Sequence, residues 1–170
     1  MAIRKIEQTR IRKLNDLPPR EKGDYVMYWM QQSQRAEHNP ALEHAAHRAN
    51  QHRKPLLVGF GLMDDYPGAN ARHYRFMLEG LAEVASALER RGICFVVRRG
   101  APDAVAIELA RKALLVVCDR GYLRHQKTWR RKCADEAGCQ VEQVEADVVV
   151  PVDTASDKRE YAARTPMALT

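Results

Sequence analysis

Six consecutive apolar or aromatic residues at positions 25–30 (YVMYWM) are followed directly by five polar residues at 31–35 (QQSQR). An unbroken apolar run is typical of a strand that helices cover on both faces, as in a parallel sheet. In open α/β sheets, ligands bind beyond the carboxyl ends of the strands, where the strand order reverses. The polar residues therefore predict either the wall of a ligand crevice or an ordinary strand-to-helix loop, and the spacing alone leaves both interpretations open.

Further apolar runs follow at intervals that leave room for a helix between each pair. We predict strands over 56–63, 93–97, 114–118 and 141–144, separated by helices that start at the N-caps Asn39 and Asn70, at Pro102 and after Tyr122. This alternation is typical of a doubly wound sheet with right-handed crossovers. The predicted fold class is α/β, a Rossmann-like five-stranded parallel sheet of strand order 3-2-1-4-5 with helices on both faces.

Changes in composition predict three parts of the chain. Residues 1–24 form a basic N-terminal arm. We interpret it either as a contact for phosphate or as a solvated lead-in, which is the more common role of a charge-rich terminus. Residues 25–147 form the α/β domain, and 148–170 lack a convincing periodicity and are interpreted as a linker. The basic residues of the arm are Arg4, Lys5, Arg10, Arg12, Lys13, Arg20 and Lys22.

The overall charge and the cysteines narrow the class of protein. The 170 residues carry a formal net charge of +6 and a pI near 9.3, which favours an anionic partner such as nucleic acid but is common among basic proteins. The four cysteines lack zinc-site spacing, and Cys94 and Cys118 fall in predicted strands, so we interpret them as reduced core residues. There is no apolar run of membrane-spanning length and no signal peptide, and we expect a cytoplasmic protein.

No complete catalytic motif is present in the sequence. It has no G-x-G-x-x-G after the first strand, no Walker lysine, no serine elbow and no H-E-x-x-H. Asp64, Asp65 and Asp119 follow strands, where they are either metal ligands or bases or, more commonly, turn and cap residues. His44 and His47 lie one turn apart on the first helix, and we assign them to its solvated face.

A row of basic residues is spaced to share one face of the fourth helix. Such a row is equally typical of a phosphate-contacting surface and of the solvent face of a sheet-covering helix. The residues are Arg120, Arg124, Lys127 and Arg131.

Several longer motifs, collinear over about residues 10–165, resemble the N-terminal part of class II cyclobutane pyrimidine dimer photolyases. They are 25–35 with Asn39 and Ala41-Leu42; Tyr66-Pro67, Ala69-Asn70, Arg72-His73-Tyr74 and 76–81 (FMLEGL); Arg91-Gly92-Ile93; 119–124 (DRGYLR) with Trp129; Val150-Pro151-Val152; and 155–158 (ASDK) with 161–165 (YAART).

The resemblance implies an enzyme of two domains. An N-terminal α/β antenna domain precedes a helical domain that holds FAD and the flipped-out dimer, which electron transfer from photoexcited reduced flavin splits. This chain matches only the antenna domain, so we expect no catalytic residues and no repair by the chain alone. Trp29 and Trp129 are interpreted as core or domain-contact residues. The alternatives are a stand-alone binding or regulatory module and a scaffold without pigment.

The resemblance also implies an antenna pigment, which we place in the crevice between the first and fourth strands. Met30 and Leu62 are expected to form an apolar floor and Tyr122 a stacking ring for a deazaflavin or a flavin. The DNA of the parent enzyme is expected to contact this chain weakly, through Arg124, Lys127 and Arg131. No metal site is expected. The predicted pigment-binding residues are Met30, Gln31, Gln32, Ser33, Gln34, Arg35, Leu62, Arg72, Asp119, Arg120 and Tyr122.

Overall fold

The structure is a computed structural model that describes residues 6–155. Its strands are β1 (Ile11–Lys13), β2 (Tyr25–Trp29), β3 (Leu56–Leu62), β4 (Cys94–Arg99), β5 (Ala113–Asp119) and β6 (Gln140–Val144). Its helices are α1 (Pro40–His52), α2 (Ala71–Glu89), α3 (Pro102–Ala110), α4 (Arg124–Glu136) and the short α5 (Val152–Ala155), and a 3-10 turn covers Gln8–Arg10.

The strands form one sheet in the order β1-β6-β5-β2-β3-β4. The five strands β2 to β6 are parallel and have the predicted order, with the reversal between β2 and β5. Residues on β2 alternate between the two faces, as expected for a central strand. Val26 and Tyr28 pack with α1, whereas Met27 and Trp29 pack with α3 and α4. The predicted fold class is confirmed.

The N-terminal segment is not the solvated lead-in that its charge predicted. β1 pairs antiparallel with β6, and Ile11 lies opposite Val144, so the sheet has six strands and is mixed. Further along, the backbone at Gly23 passes so close to Leu114 that an added Cβ would lie 2.2 Å from its Cα. The physical reason is the open edge of β6, whose backbone groups gain hydrogen bonds from a covering strand.

The predicted N-caps of the two long helices are confirmed, and α2 is buried over only part of its length. Asn39 Oδ1 accepts hydrogen bonds from the backbone N–H groups of Ala41 and Leu42 at 3.0 and 3.1 Å, and Asn70 caps α2 in the same way. Only the C-terminal half of α2 is buried, through Leu81, Val84 and Leu88. Its first turns are more exposed, and Leu78 is 45% exposed.

His44 is buried, contrary to its predicted place on a solvated face. Its Nε2 lies 2.7 Å from a carboxylate oxygen of Glu142 on β6, and Arg48 approaches the same oxygen. Burial alone would raise the pKa of Glu142, but the hydrogen bond from His44 and the charge of Arg48 hold that pKa below its ordinary value. His47, one turn further along α1, is exposed as predicted. The helical spacing did not reveal this difference because the polar partner of His44 lies 98 residues away.

The cysteines are free, and three of the four are buried. Burial raises the pKa of the Cys133 thiol to about 12, so it is protonated near neutral pH. Cys94, predicted to be a core residue, is exposed because β4 is the edge strand of the sheet.

Within residues 6–155, no helix has the length and apolar character that crossing a membrane requires.

We predict that His44→Ala lowers the free energy of unfolding by about 3 kcal/mol, because it removes a hydrogen-bonding partner of the buried carboxylate of Glu142. The matched variant His47→Ala, at an exposed position on the same helix, should change it by less than about 0.5 kcal/mol. Urea denaturation of both variants measures the difference. Equal effects would show that the His44–Glu142 pair does not stabilise the contact between α1 and β6.

Candidate functional site

The carboxylate of Asp119, at the end of β5, organises the point where the strand order reverses. Its Oδ2 accepts hydrogen bonds from the backbone N–H groups of Gln31, Gln32 and Ser33 at 3.0, 2.9 and 3.1 Å. Its Oδ1 accepts a hydrogen bond from the hydroxyl of Tyr28 at 2.6 Å. Asp119 is 3% exposed, so a buried carboxylate holds the loop after β2 in place through these hydrogen bonds.

The protonation of this pair follows from its surroundings. Burial raises the pKa of Asp119, and the four hydrogen bonds that it accepts oppose that rise. Burial and the neighbouring carboxylate raise the pKa of Tyr28 well above its ordinary value, so its hydroxyl stays a donor. Asn39 donates to the same hydroxyl oxygen at 3.0 Å and to the carbonyls of Ser33 and Arg35. The loop after β2 is therefore held by both strand and helix.

The side chain of Gln31 also forms hydrogen bonds with the sheet, to the backbone of β3. It donates to the carbonyl of Gly61 at 3.0 Å and accepts from the Gly61 N–H at 3.2 Å, so that it extends the pairing of β2 with β3. Its carbonyl oxygen accepts a further hydrogen bond from the indole of Trp29. One edge of Gln31 nevertheless lines the groove described below.

Four of the predicted pigment residues contact a later part of the chain instead of an open crevice. Ser33 and Arg35 hydrogen-bond to Asp147, and Arg120 and Tyr122 contact Glu145. The crevice between β2 and β5 is therefore filled by residues that follow β6. Met30 is fully buried in the core on the α1 side, so it does not form the floor of a crevice.

An open groove of about 700 Å³ lies beside that crevice, between the loop after β3, the first turns of α2 and the start of α4. Five of the predicted pigment residues, Gln31, Gln32, Gln34, Leu62 and Arg72, line it. The remaining walls are mostly apolar and aromatic. They are formed by Phe60, Gly61, Met63, Tyr66, Ala69, His73, Tyr74, Phe76, Met77, Pro102, Leu123, Gln126 and Trp129.

Aromatic residues that the site prediction did not include connect the two sides of this groove. The hydroxyl of Tyr66, in the loop after β3, lies 3.1 Å from Nε2 of His125 on α4, and the His125 ring packs edge-on against Trp129 at 4.8 Å between centroids. The sequence could have indicated these residues by their position, because Tyr66 follows β3 and Trp129 follows β5, and both strands end at the carboxyl edge of the sheet. Leu123 is 53% exposed at the groove wall.

Three members of the predicted basic row lie on α4, and the fourth does not. Arg124, Lys127 and Arg131 are exposed on the helix and form what we call the α4 basic face. Arg120 precedes the helix and is paired with Glu145 and Asp153.

Among residues 6–155, no group of three or more His, Cys, Asp or Glu is placed to hold a metal ion. Asp64 is instead paired with Arg99, which lowers the pKa of that carboxyl.

The comparison with known protein families explains the motifs of the sequence. The model of the DNA photolyase family matches residues 26–167. The chain belongs to the DNA photolyase family. The predicted membership of a photolyase family is thus confirmed, and the motifs beyond Ala155 lie outside the residues that the structure describes.

Two curated relatives show how much of a photolyase the chain represents. A deoxyribodipyrimidine photo-lyase of Methanothermobacter thermautotrophicus is 51% identical over 160 residues, which are 94% of this chain and 36% of the relative. The enzyme of the same name from Potorous tridactylus is 35% identical over 166 residues, covering 95% of this chain and 31% of the relative. The chain therefore spans about a third of the length of these relatives.

Solved structures share the fold at lower identity. A bacterial class III photolyase from Agrobacterium tumefaciens matches with a TM-score of 0.63 at 20% identity, over 89% of this chain and 32% of that one. A universal stress protein in complex with cAMP matches with a TM-score of 0.50 at 16% identity, over 72% of this chain and 98% of that one. These two similarities concern the α/β fold alone.

We predict that Asp119→Ala lowers the free energy of unfolding by at least about 3 kcal/mol, since it leaves three backbone N–H groups, of which that of Ser33 is buried, and the buried hydroxyl of Tyr28 without their acceptor. The amide hydrogens of residues 31–33 should lose their protection from exchange. Asp65→Ala, which removes an exposed aspartate after the neighbouring strand β3, is the matched control. Hydrogen exchange and urea denaturation measure both variants, and retained protection in Asp119→Ala would contradict the assigned role.

Proposed function

We propose that the chain is the N-terminal α/β antenna domain of a class II cyclobutane pyrimidine dimer photolyase. In this proposal it holds a pigment of the deazaflavin or flavin type and supports a helical FAD domain that carries out light-dependent DNA repair. Family membership and the greater length of the relatives named deoxyribodipyrimidine photo-lyase support it. The class assignment rests on the motifs at 25–35 and 119–124. The chain by itself is inactive in repair.

The groove of about 700 Å³ is the observation that carries the pigment proposal. Its volume lies within the range of about 300 to 1,000 Å³ that is usual for small-molecule sites, and its walls are largely apolar and aromatic with a few amides and one guanidinium. A planar heteroaromatic ring system needs this combination, because its faces are apolar and its carbonyl groups require donors.

The groove changes which residues we assign to the pigment. Gln32, Gln34 and Arg72 supply polar groups, and Leu62 supplies apolar surface, as the sequence predicted. Trp129 takes the stacking role first given to Tyr122, whose hydroxyl is bound to Glu145. Six residues of the predicted set, Met30, Ser33, Arg35, Asp119, Arg120 and Tyr122, are then positioning residues for the loops around the groove.

The surface beside the groove favours a covering partner. Phe76 is 81% exposed on the first turns of α2, and Leu123 is exposed on the facing wall. Clusters of exposed large apolar side chains commonly mark a surface that another polypeptide covers. We assign this partner to the helical domain of the longer enzyme, and the free thiols of the chain agree with a reducing, cytoplasmic location.

A titration with a 5-deazaflavin, and separately with riboflavin, tests the pigment site. Chemical shifts of the 170-residue chain should change first around Gln32, Leu62, Phe76 and Trp129, with weak affinity because, in this proposal, the helical domain contributes to the site. Phe76→Ala should weaken binding several-fold, whereas Leu78→Ala, an exposed apolar residue on the same helix that does not line the groove, should leave it unchanged. Shifts centred on α1 or on residues 145–153, or equal effects of the two variants, would refute the placement.

We also predict that the chain binds DNA weakly and without preference for a pyrimidine dimer. The α4 basic face offers contacts to phosphate, but phosphate contacts carry no information about the base. Changing Arg124, Lys127 and Arg131 together to Gln should reduce the slope of log affinity against log salt by up to about 3.

A matched triple variant controls for the loss of charge. Arg53, Arg90 and Arg111 are exposed near the C-terminal ends of α1, α2 and α3, and their replacement by Gln removes the same charge elsewhere. Titrations of damaged and undamaged duplexes at several salt concentrations compare the variants. An equal loss in the control triple, or a clear preference for the damaged duplex, would contradict the prediction.

A further inference from the structure

The segment that follows β6 is held to the domain chiefly by polar contacts. Residues 145–155, which we call the strap, include three valines with large exposed fractions, Val149 at 92%, Val150 at 52% and Val152 at 41%. Burial of apolar surface therefore contributes little to the position of most of the strap. Ala146 and Pro151 are its small buried apolar residues.

The acidic residues of the strap pair with arginines from two separate parts of the chain, Arg35 after β2 and Arg120 after β5. Asp153 receives a bidentate contact from Arg120, with nitrogen–oxygen distances of 2.8 and 2.9 Å. Asp147 accepts from Ser33 at 2.5 Å and from Arg35 at 3.3 Å. These two carboxylates thus bind the loops that follow β5 and β2, the two strands between which the order of the sheet reverses.

Glu145 is the buried anchor of the strap. It is 2% exposed, and its carboxylate accepts from Arg120 at 3.0 Å, from the hydroxyl of Tyr122 and from the backbone N–H of Val152 at 3.2 Å. The contact with Val152 turns the strap back toward its own beginning. Because the same guanidinium of Arg120 pairs with Glu145 and Asp153, the two ends of the strap are coupled.

The N-terminal segment also binds the strap, through Arg10. Arg10 donates to the carbonyls of Val148 and Val149 at 2.8 and 2.6 Å, and Arg35 donates to the carbonyl of Ala146 at 2.9 Å. Arginine side chains thus bind the strap through its backbone as well as through its carboxylates. Arg10 reaches the strap because β1 pairs with β6, which places the 3-10 turn beside it.

We propose that the crevice between β2 and β5 is a binding site for an acidic segment, and that the chain fills it with its own strap. The strap closes the crevice to external ligands and fixes the course of the chain after β6. It opens when its ion pairs are broken, without unfolding of the sheet. This inference goes beyond the antenna function and does not depend on whether a pigment binds.

Limited proteolysis of the 170-residue chain tests the strap. Thermolysin cleaves before bulky apolar residues but disfavours a preceding acid or a following proline, so the bond before Val149, which lies between Asp147-Val148 and Val150-Pro151, is its expected site once the strap opens. Cleavage there should be about 5- to 10-fold faster in Asp153→Asn, because the open population increases when the bidentate pair is lost. The side chain of Asp153 is largely exposed, so this variant should retain the thermal midpoint of the parent chain. Mass spectrometry identifies the cut sites.

Three further measurements distinguish local opening of the strap from a general loss of stability of the domain. Asp135→Asn, an exposed acid on α4, is the matched control and should be cleaved at the parent rate. Salt at 1 M, a concentration at which surface charges are largely screened, should speed cleavage of the parent chain more than that of Asp153→Asn. Arg120→Gln should open the strap at least as far, and adding Asp153→Asn to it should increase cleavage little, because both changes remove the same contact.

The opposite results would overturn the proposal. They are equal cleavage of the parent chain and Asp153→Asn, the same acceleration in Asp135→Asn, or faster cleavage only in proportion to a lowered thermal midpoint. A salt effect of the same size in both chains would likewise show that ion pairs do not hold the strap.

Discussion

The hydrogen bonds of one buried carboxylate, Asp119, set the geometry on which the rest of this domain depends. In a loop that leaves a central strand, successive N–H groups have no partner on a neighbouring strand, and those shielded from water need another acceptor. Asp119 supplies one acceptor for three of them and at the same time binds Tyr28 on the neighbouring strand. The resulting loop presents Gln32 and Gln34 to the groove and Ser33 to the opposite side.

The same arrangement explains why a familiar ligand position of α/β folds is closed here. The reversal of strand order creates a crevice, and its cations, Arg35 and Arg120, pair with carboxylates of the chain that follows β6. Ligand space is found instead on the β3 side, where the loop after β3 and the first turns of α2 line the groove. The charge of the crevice is thereby neutralised within the domain, whereas the α4 basic face stays exposed.

Strand β6 is where the two ends of the described chain meet. It pairs with β1, its Glu142 binds His44 of α1, and the segment after it binds Arg10. Each of these contacts joins residues roughly a hundred or more positions apart, and each replaces an interpretation that treated the residues as solvated. Their energies come from hydrogen bonds and ion pairs between polar groups, which is a different requirement from the apolar periodicity that revealed the helices and strands.

Local patterns determined the five parallel strands, the N-caps at Asn39 and Asn70, and the order of the sheet, because apolar periodicity and capping act over a few residues. The motifs of the sequence also determined the photolyase family. Only the tertiary structure decided which polar residues face a ligand. It turned Ser33, Arg35, Arg120 and Tyr122 toward the strap and brought Trp129 to the groove. The physical reason is that a polar side chain is positioned by a partner that only the folded chain brings near.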